Sequence, residues 1–353
     1  MTQAPARHAR CLLATLLMGL IIVNVDVAVV NVATPSIHER LNASGSELQL
    51  VVSGYVLSFA MLLITGARLG GMYGYRRLFL IGIGVFTLAS LACGLASNAL
   101  LLIIARFVQG IGAALLVPQV LIGIQLNFTG AARVCAPGFY AVAMSVGAVA
   151  GQVLGGVLIE ANLFDTAWRP IFLINIPIGI AVIAAALAFF PKDGGGGRRQ
   201  RLDFRGVGLL SAAMLLTVLP LILGHTLRWP AWTWMCLAAS AVPFATFIVA
   251  QRRMARQGKA PLINVSVMTE PPIAWGFVAY AAGNLSYFSL LFTLALYLQQ
   301  GLGQSSLYSG LALVPWHSAQ HSPAAISAGR SWLGCSASAD SGSGSASRRR
   351  SGA

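Results

Sequence analysis

The chain has 353 residues, of which 57% are hydrophobic and 9% charged, with a formal net charge of +14. Soluble domains carry about 25% charged residues, so an ordinary soluble globule is excluded. The basic excess sits in short loops between apolar runs, which assigns it to membrane topology rather than to nucleic acid. Aromatic–basic interleaving of the RNA-binding kind is absent, and no nucleic-acid partner is expected.

Nine apolar runs have bilayer length: roughly 11–34, 48–69, 78–97, 99–120, 137–158, 171–191, 206–224, 232–251 and 273–298. Each holds close to the ~20 residues that a membrane-crossing helix needs. The N-terminus resembles a signal peptide, but its run is too long and lacks a small-x-small cleavage site, so it reads as an uncleaved first helix. A tenth run begins near Leu307 and stops at Trp316.

The first run, Leu12–Pro35, carries Asp26 near its middle. Of the nine acids in the chain, Asp26 alone lies deep in an apolar run, and Arg106 is the one deep basic residue. A charge at that depth costs several kcal/mol unless it meets water, a partner or a proton. On a helix Asp26 lies about 200° from Asn24 and about 140° from Asn31, so the three cannot share a face. An acid needs water more than an amide does. The expectation is that Asp26 faces a cavity while Asn24 and Asn31 face other helices.

Between the second and third runs lies Ala67-Arg-Leu-Gly-Gly-Met-Tyr-Gly-Tyr-Arg-Arg77, a tight turn at Gly74 followed by Arg76 and Arg77. On charge alone it is a cytoplasmic loop. In the fourth run Arg106 and Gln109 are three apart and share a helix face. A basic side chain two turns into a span can also snorkel to the interface. In the fifth run Gly147, Gly151 and Gly155 recur every four residues, which smooths one face for close approach of another helix. Helix packing accounts for these glycines and for Gly156 beside them, but not for Gln152 among them.

Fifteen basic residues fall on one side of the nine runs, and three, Arg40, Arg169 and Arg228, on the other. The positive-inside rule then places the N-terminus in the cytoplasm. Lys192–Arg205 is a Gly-rich basic linker and the clearest boundary in the chain. Trp229, Trp232 and Trp234 cluster where the seventh and eighth runs meet outer water, as an aromatic belt would. The five cysteines show no paired spacing and the histidines are isolated, so neither a metal site, a disulfide framework nor a cofactor is indicated. No nucleophile–base set or phosphate loop marks an enzyme.

These segments resemble the Major Facilitator Superfamily, in particular its fourteen-span drug:proton antiporter branch. The similarity rests on Asp26-Val-Ala-Val-Val-Asn31-Val-Ala-Thr-Pro35, the loop 67–77, Arg106–Gly112 and Gly147–Gly156. Trp168–Pro177, Leu202–Gly206 and Tyr297–Ser306 extend it. Two departures are Gly71, where the family's loop motif usually has Asp, and Gln152, where many members have Pro.

The resemblance implies an all-α polytopic membrane protein, a major-facilitator-type helical bundle with about nine complete transmembrane helices and an incomplete second half. It divides the chain into a six-helix half (1–191), the linker (192–205), two inserted helices (206–251), the start of the second half (252–316) and a low-complexity tail (317–353). The apolar pattern breaks off after Trp316, and Ser, Ala and Gly make up 24 of the last 37 residues. Truncation or a frame shift is expected there. The implied activity is proton-coupled efflux of small amphipathic organic compounds, such as multidrug or antibiotic export, across a plasma membrane. Asp26, Arg106 and Gln109 would serve proton coupling or substrate. Gly74, Arg76 and Arg77 would form a gating loop, and Gly147, Gly151, Gln152, Gly155 and Gly156 the packing motif. The alternative is a non-transporting remnant or a membrane scaffold.

Overall fold

The computed structural model describes residues 6–161, 168–191, 203–257, 262–263 and 265–302. The linker residues 192–202, the beginning of a tenth span and the 317–353 tail lie outside them. The long helices are α1 (Ala6–Leu41), α2 (Gly45–Tyr73), α3 (Tyr75–Gly94), α4 (Ala99–Asn127) and α5 (Gly130–Glu160). A short α6 (Pro170–Leu173) precedes α7 (Asn175–Phe189). Then come α8 (Phe204–Thr226), α9 (Ala231–Arg256), a short α10 (Val265–Met268), α11 (Pro271–Leu296) and one π turn over Tyr297–Gly301. Eight of the described helical stretches are long and apolar enough to cross a membrane, and the ninth expected span is the helix α11. The chain is a multi-pass membrane protein.

Local sequence sets the ends. A capping box, with Ser44 Oγ accepting from the Glu47 amide and the Glu47 carboxylate accepting from the Ser44 amide, starts α2. Asn98 Oδ1 accepts from the Leu101 amide to start α4. Gly74 alone joins α2 to α3, at φ 98° and ψ 139°, a conformation open essentially to glycine. The sixth expected span is broken: Pro177 has no N–H for the Leu173 carbonyl, so α6 stops and α7 begins at Asn175.

Helix α4 lies between α2 and α3, while α1 packs on α5 and α7, and α8 pairs with α9 beside α2. Two glycines let α4 sink in. A Cβ on Gly110 would overlap Ser58 Oγ and the Tyr55 carbonyl of α2, and one on Gly112 would lie 2.6 Å from the Phe86 nitrogen of α3. On the other side α5 lies against α1. A Cβ on Gly147 would meet Asn24 Cβ at 2.8 Å, one on Gly151 the Val25 carbonyl at 2.6 Å, and one on Gly155 Val29 Cγ2 at 2.9 Å. Gly156 faces open space and Gln152 is exposed, so neither belongs to this contact.

Replacing Gly151 with Leu should push α5 off the α1 backbone and cost about 1–3 kcal/mol or more by overpacking. Thermal unfolding in detergent should show a lower melting temperature for Gly151→Leu and none for Gly156→Ala. Equal melting of Gly151→Leu and the parent would contradict the close packing.

Candidate functional site

Two apolar clusters fill the first six spans. One holds Leu12–Val23, Tyr55, Phe79–Phe86 and Ala113–Phe128, and the other Val29–Ile37, Val51, Cys93, Leu102 and Ala105 with Trp168–Phe172. Between them, at the same level of each helix, lies a polar layer. It is made of Asp26 of α1, Ser90 of α3, Arg106 and Gln109 of α4, and Asn175 of α7, all at most 1% exposed.

Arg106 Nη1 donates to Asp26 Oδ2 at 2.5 Å and to Gln109 Oε1 at 2.7 Å. Arg106 Nε donates to the Val51 carbonyl at 3.1 Å. Its guanidinium lies over the Tyr55 ring, 4.4 Å from the centroid, a cation–π contact from α2. Gln109 Nε2 donates to Asp26 Oδ1 at 2.8 Å and to Ser90 Oγ at 2.6 Å. Asn175 Nδ2 reaches the same two atoms at 2.9 and 3.1 Å. Cys93 Sγ approaches Gln109 Oε1 at 3.7 Å. The acid, its counter-ion and the amides thus form one closed network, in which each buried charge is neutralised and hydrogen-bonded.

The structure brings Asp26, Arg106 and Gln109 together, as their shared depth and helix face suggest. It corrects the expected orientation of α1. Asp26 is sealed and Asn31 is exposed, bonding the Val27 carbonyl of its own helix, whereas the half-buried Asn24 does face another helix, its Cβ lying where it would meet a Cβ on Gly147 of α5. The reason is Arg106, whose charge neutralises Asp26 inside the bundle and removes its need for water. Nor does Arg106 snorkel, since it is 1% exposed.

Ser90 and Asn175 were not legible as site residues. A tally of deep charges passes over amides and hydroxyls; an Asn inside an apolar span, two residues before a Pro, was the available signal.

The other expected residues lie apart. Arg76 Nη2 donates to the Leu187 carbonyl at the end of α7 at 3.0 Å, which ties the α2–α3 joint to α7. Arg77 and Gly71 are exposed. Near the linker, Asp203 Oδ1 accepts from the Gly206 amide and caps α8, and its Oδ2 accepts from Gln251 of α9 at 2.7 Å. Among the described residues, no three His, Cys, Asp or Glu side chains gather to hold a metal ion.

The chain is 38% identical over 291 residues to a probable actinorhodin transporter of Streptomyces coelicolor, covering 82% of this chain and 50% of that protein. It is 37% identical over 300 residues to the cephamycin export protein of Amycolatopsis lactamdurans, covering 82% and 59%. It is 30% identical over 304 residues to the tetracenomycin C resistance and export protein of Streptomyces glaucescens, covering 84% and 54%. The chain therefore spans 50–59% of the length of these relatives. Residues 16–319 match the Major Facilitator Superfamily. With a membrane-spanning helical bundle and that match over most of its length, the chain belongs to the Major Facilitator Superfamily, a family of transporters and not of enzymes.

Proposed function

We propose that the chain is part of a proton-coupled exporter of small amphipathic organic molecules in a plasma membrane, with its N-terminus in the cytoplasm. Residues 1–191 form the first half of that exporter, α8 and α9 an inserted pair, and α11 the start of the second half. The relatives named for antibiotic export support the substrate class. The observation that carries the coupling role is the ionisable pair Asp26–Arg106, buried in the polar layer where five helices meet.

In this reading the paired state of Asp26 is ionised, held by Arg106 Nη1, Gln109 Nε2 and Asn175 Nδ2. A proton arriving from the outer water neutralises the carboxylate and weakens its grip on Arg106. Arg106 is then held by the Val51 carbonyl, Gln109 Oε1 and the Tyr55 ring. The pair spans α1 and α4, so its loosening changes how those helices hold one another, which is how protonation alternates access to a substrate at the midplane. The Gly74 joint with Arg76 and Arg77 carries that motion at the cytoplasmic end.

The experiment uses inverted vesicles from cells producing the chain, energised to acidify their interior. Addition of a lipophilic cationic dye should release protons from the vesicles, and Asp26→Asn should abolish that release. Release equal to that of vesicles lacking the chain would contradict transport and favour the reading of a non-transporting remnant.

Orientation has its own test. A reporter active only in the cytoplasm, attached after residue 200, should be active, because Lys192, Arg198, Arg199, Arg201 and Arg205 all lie on that side. An inactive fusion there would overturn the topology.

A further inference from the structure

All three side-chain hydrogen bonds to Asp26 are received by it: one from Arg106 Nη1, one from Gln109 Nε2 and one from Asn175 Nδ2. Both amides spend their second hydrogen on Ser90 Oγ. The arrangement suits an ionised carboxylate, which only accepts, and offers nothing to a protonated one, which must also donate. Among the groups bonded to Asp26, one acceptor is unused: Asn175 Oδ1 is buried and has no partner. An orphaned buried carbonyl of this kind is uncommon and calls for an explanation.

We propose that Asn175 is the positioning residue that lets Asp26 hold a proton, its side-chain amide turning over as the carboxylate is protonated. The inference rests on the reading that Asp26 takes up a proton. A half-turn of the amide exchanges Nδ2 and Oδ1. The oxygen then faces Asp26 and Ser90, accepting the new O–H of the acid and the rotated hydroxyl of Ser90. One amide atom is unpaired before the turn and one after it, so the layer has two arrangements of similar completeness.

Gln109 cannot do the same. Its Oε1 accepts from Arg106 Nη1 at 2.7 Å, and turning it would set an N–H against the guanidinium. Asn175 is free to turn because its oxygen holds nothing, and because it is the first residue of α7, directly after the α6–α7 break.

The proton balance is simple. A proton from water adds to Asp26 Oδ1 as an O–H bond, Asn175 gains and loses none, and the Asp26–Arg106 pair passes from neutral to singly positive. The ionisable groups facing Asp26 at this level are Arg106 from α4, Tyr55 from α2 and Cys93 from α3. The short α6 sets Phe172 against the Arg106 guanidinium, α5 meets α1 through Gly151 at the Val25 carbonyl, and α7 contributes the amide of Asn175.

The test is solid-state magnetic resonance on the full chain in lipid, with 15N in the asparagine side chains and 13C in the aspartate carboxyls. The Asp26 carboxyl carbon is assigned by its loss in Asp26→Asn, and the Asn175 nitrogen by its loss in Asn175→Ser. The chemical shift of the Asp26 carboxyl carbon reports protonation, and the dipolar coupling between the two nuclei reports which amide atom faces the acid. The coupling should be strong while Asp26 is ionised and fall several-fold as it is protonated, both changes sharing one midpoint. A coupling that persists through protonation would overturn the role of Asn175 and leave the proton-uptake reading standing. A carboxyl shift that does not move with pH would overturn both.

Discussion

Asp26→Leu and Arg106→Met should each unfold the protein at a much lower temperature, while the double substitution should recover most of the loss. Each single change strands one charge among atoms at most 1% exposed, and breaking a buried ion pair in this way costs about 3–5 kcal/mol. Removing both charges replaces the pair with apolar atoms of similar volume, often a neutral exchange or a gain. The coupling energy from the cycle should therefore be large for residues in direct contact. The double variant should fold but move no protons with substrate. Asp26→Asn belongs between these limits, because its amide oxygen can still accept from Arg106 although the charge is gone. Thermal unfolding of the four proteins in one detergent decides the matter. Additive losses would mean that the pair contributes nothing as a pair.

Gly110→Ala should be nearly as damaging, although it adds one methyl group. The new Cβ would overlap Ser58 Oγ and the Tyr55 carbonyl. The second obstacle is backbone, so α2 and α4 must separate. Overpacking of this kind costs about 1–3 kcal/mol. Here it also moves Tyr55 off the Arg106 guanidinium and lengthens the bond from Arg106 to the Val51 carbonyl. Gly84→Ala on α3, where a Cβ meets nothing within 4 Å, is the matched control. Gly110→Ala should lower both the folded yield and the melting temperature, with Gly84→Ala at the parental value. Parental behaviour of both would show that α4 is not seated as tightly as its glycines indicate.

The spans were legible because apolar length is a property of one segment at a time. So was the pairing of Arg106 with Gln109, which needs only helical spacing, and the Gly147–Gly151–Gly155 face, which now lies on α1. The side of α1 on which Asp26 sits was not legible. Helical spacing separates Asp26 from Asn24 and Asn31, but the spacing within α1 does not contain the neutralising charge that α4 delivers. Ser90, Asn175 and Tyr55 were missed because their role exists only where helices distant in sequence come level. Seeing that needs the α3–α4 crossing at Gly82 and Gly112 and the break at Pro177, which aims Asn175 inward. The glycines of the Arg106–Gly112 segment were visible as a motif, yet their use, bringing α4 against two helices at once, is a property of the packed bundle.

The central claim is that Asp26 is the buried group through which this chain answers to protons. It is tested most directly by counting protons. The purified chain and Asp26→Asn are titrated potentiometrically in detergent over the pH range in which both remain folded, as checked by circular dichroism at each end. The account predicts that the parent binds one more proton per chain than Asp26→Asn across that range. Equal uptake by the two proteins would contradict it, leaving Asp26 a permanently ionised strut between α1 and α4.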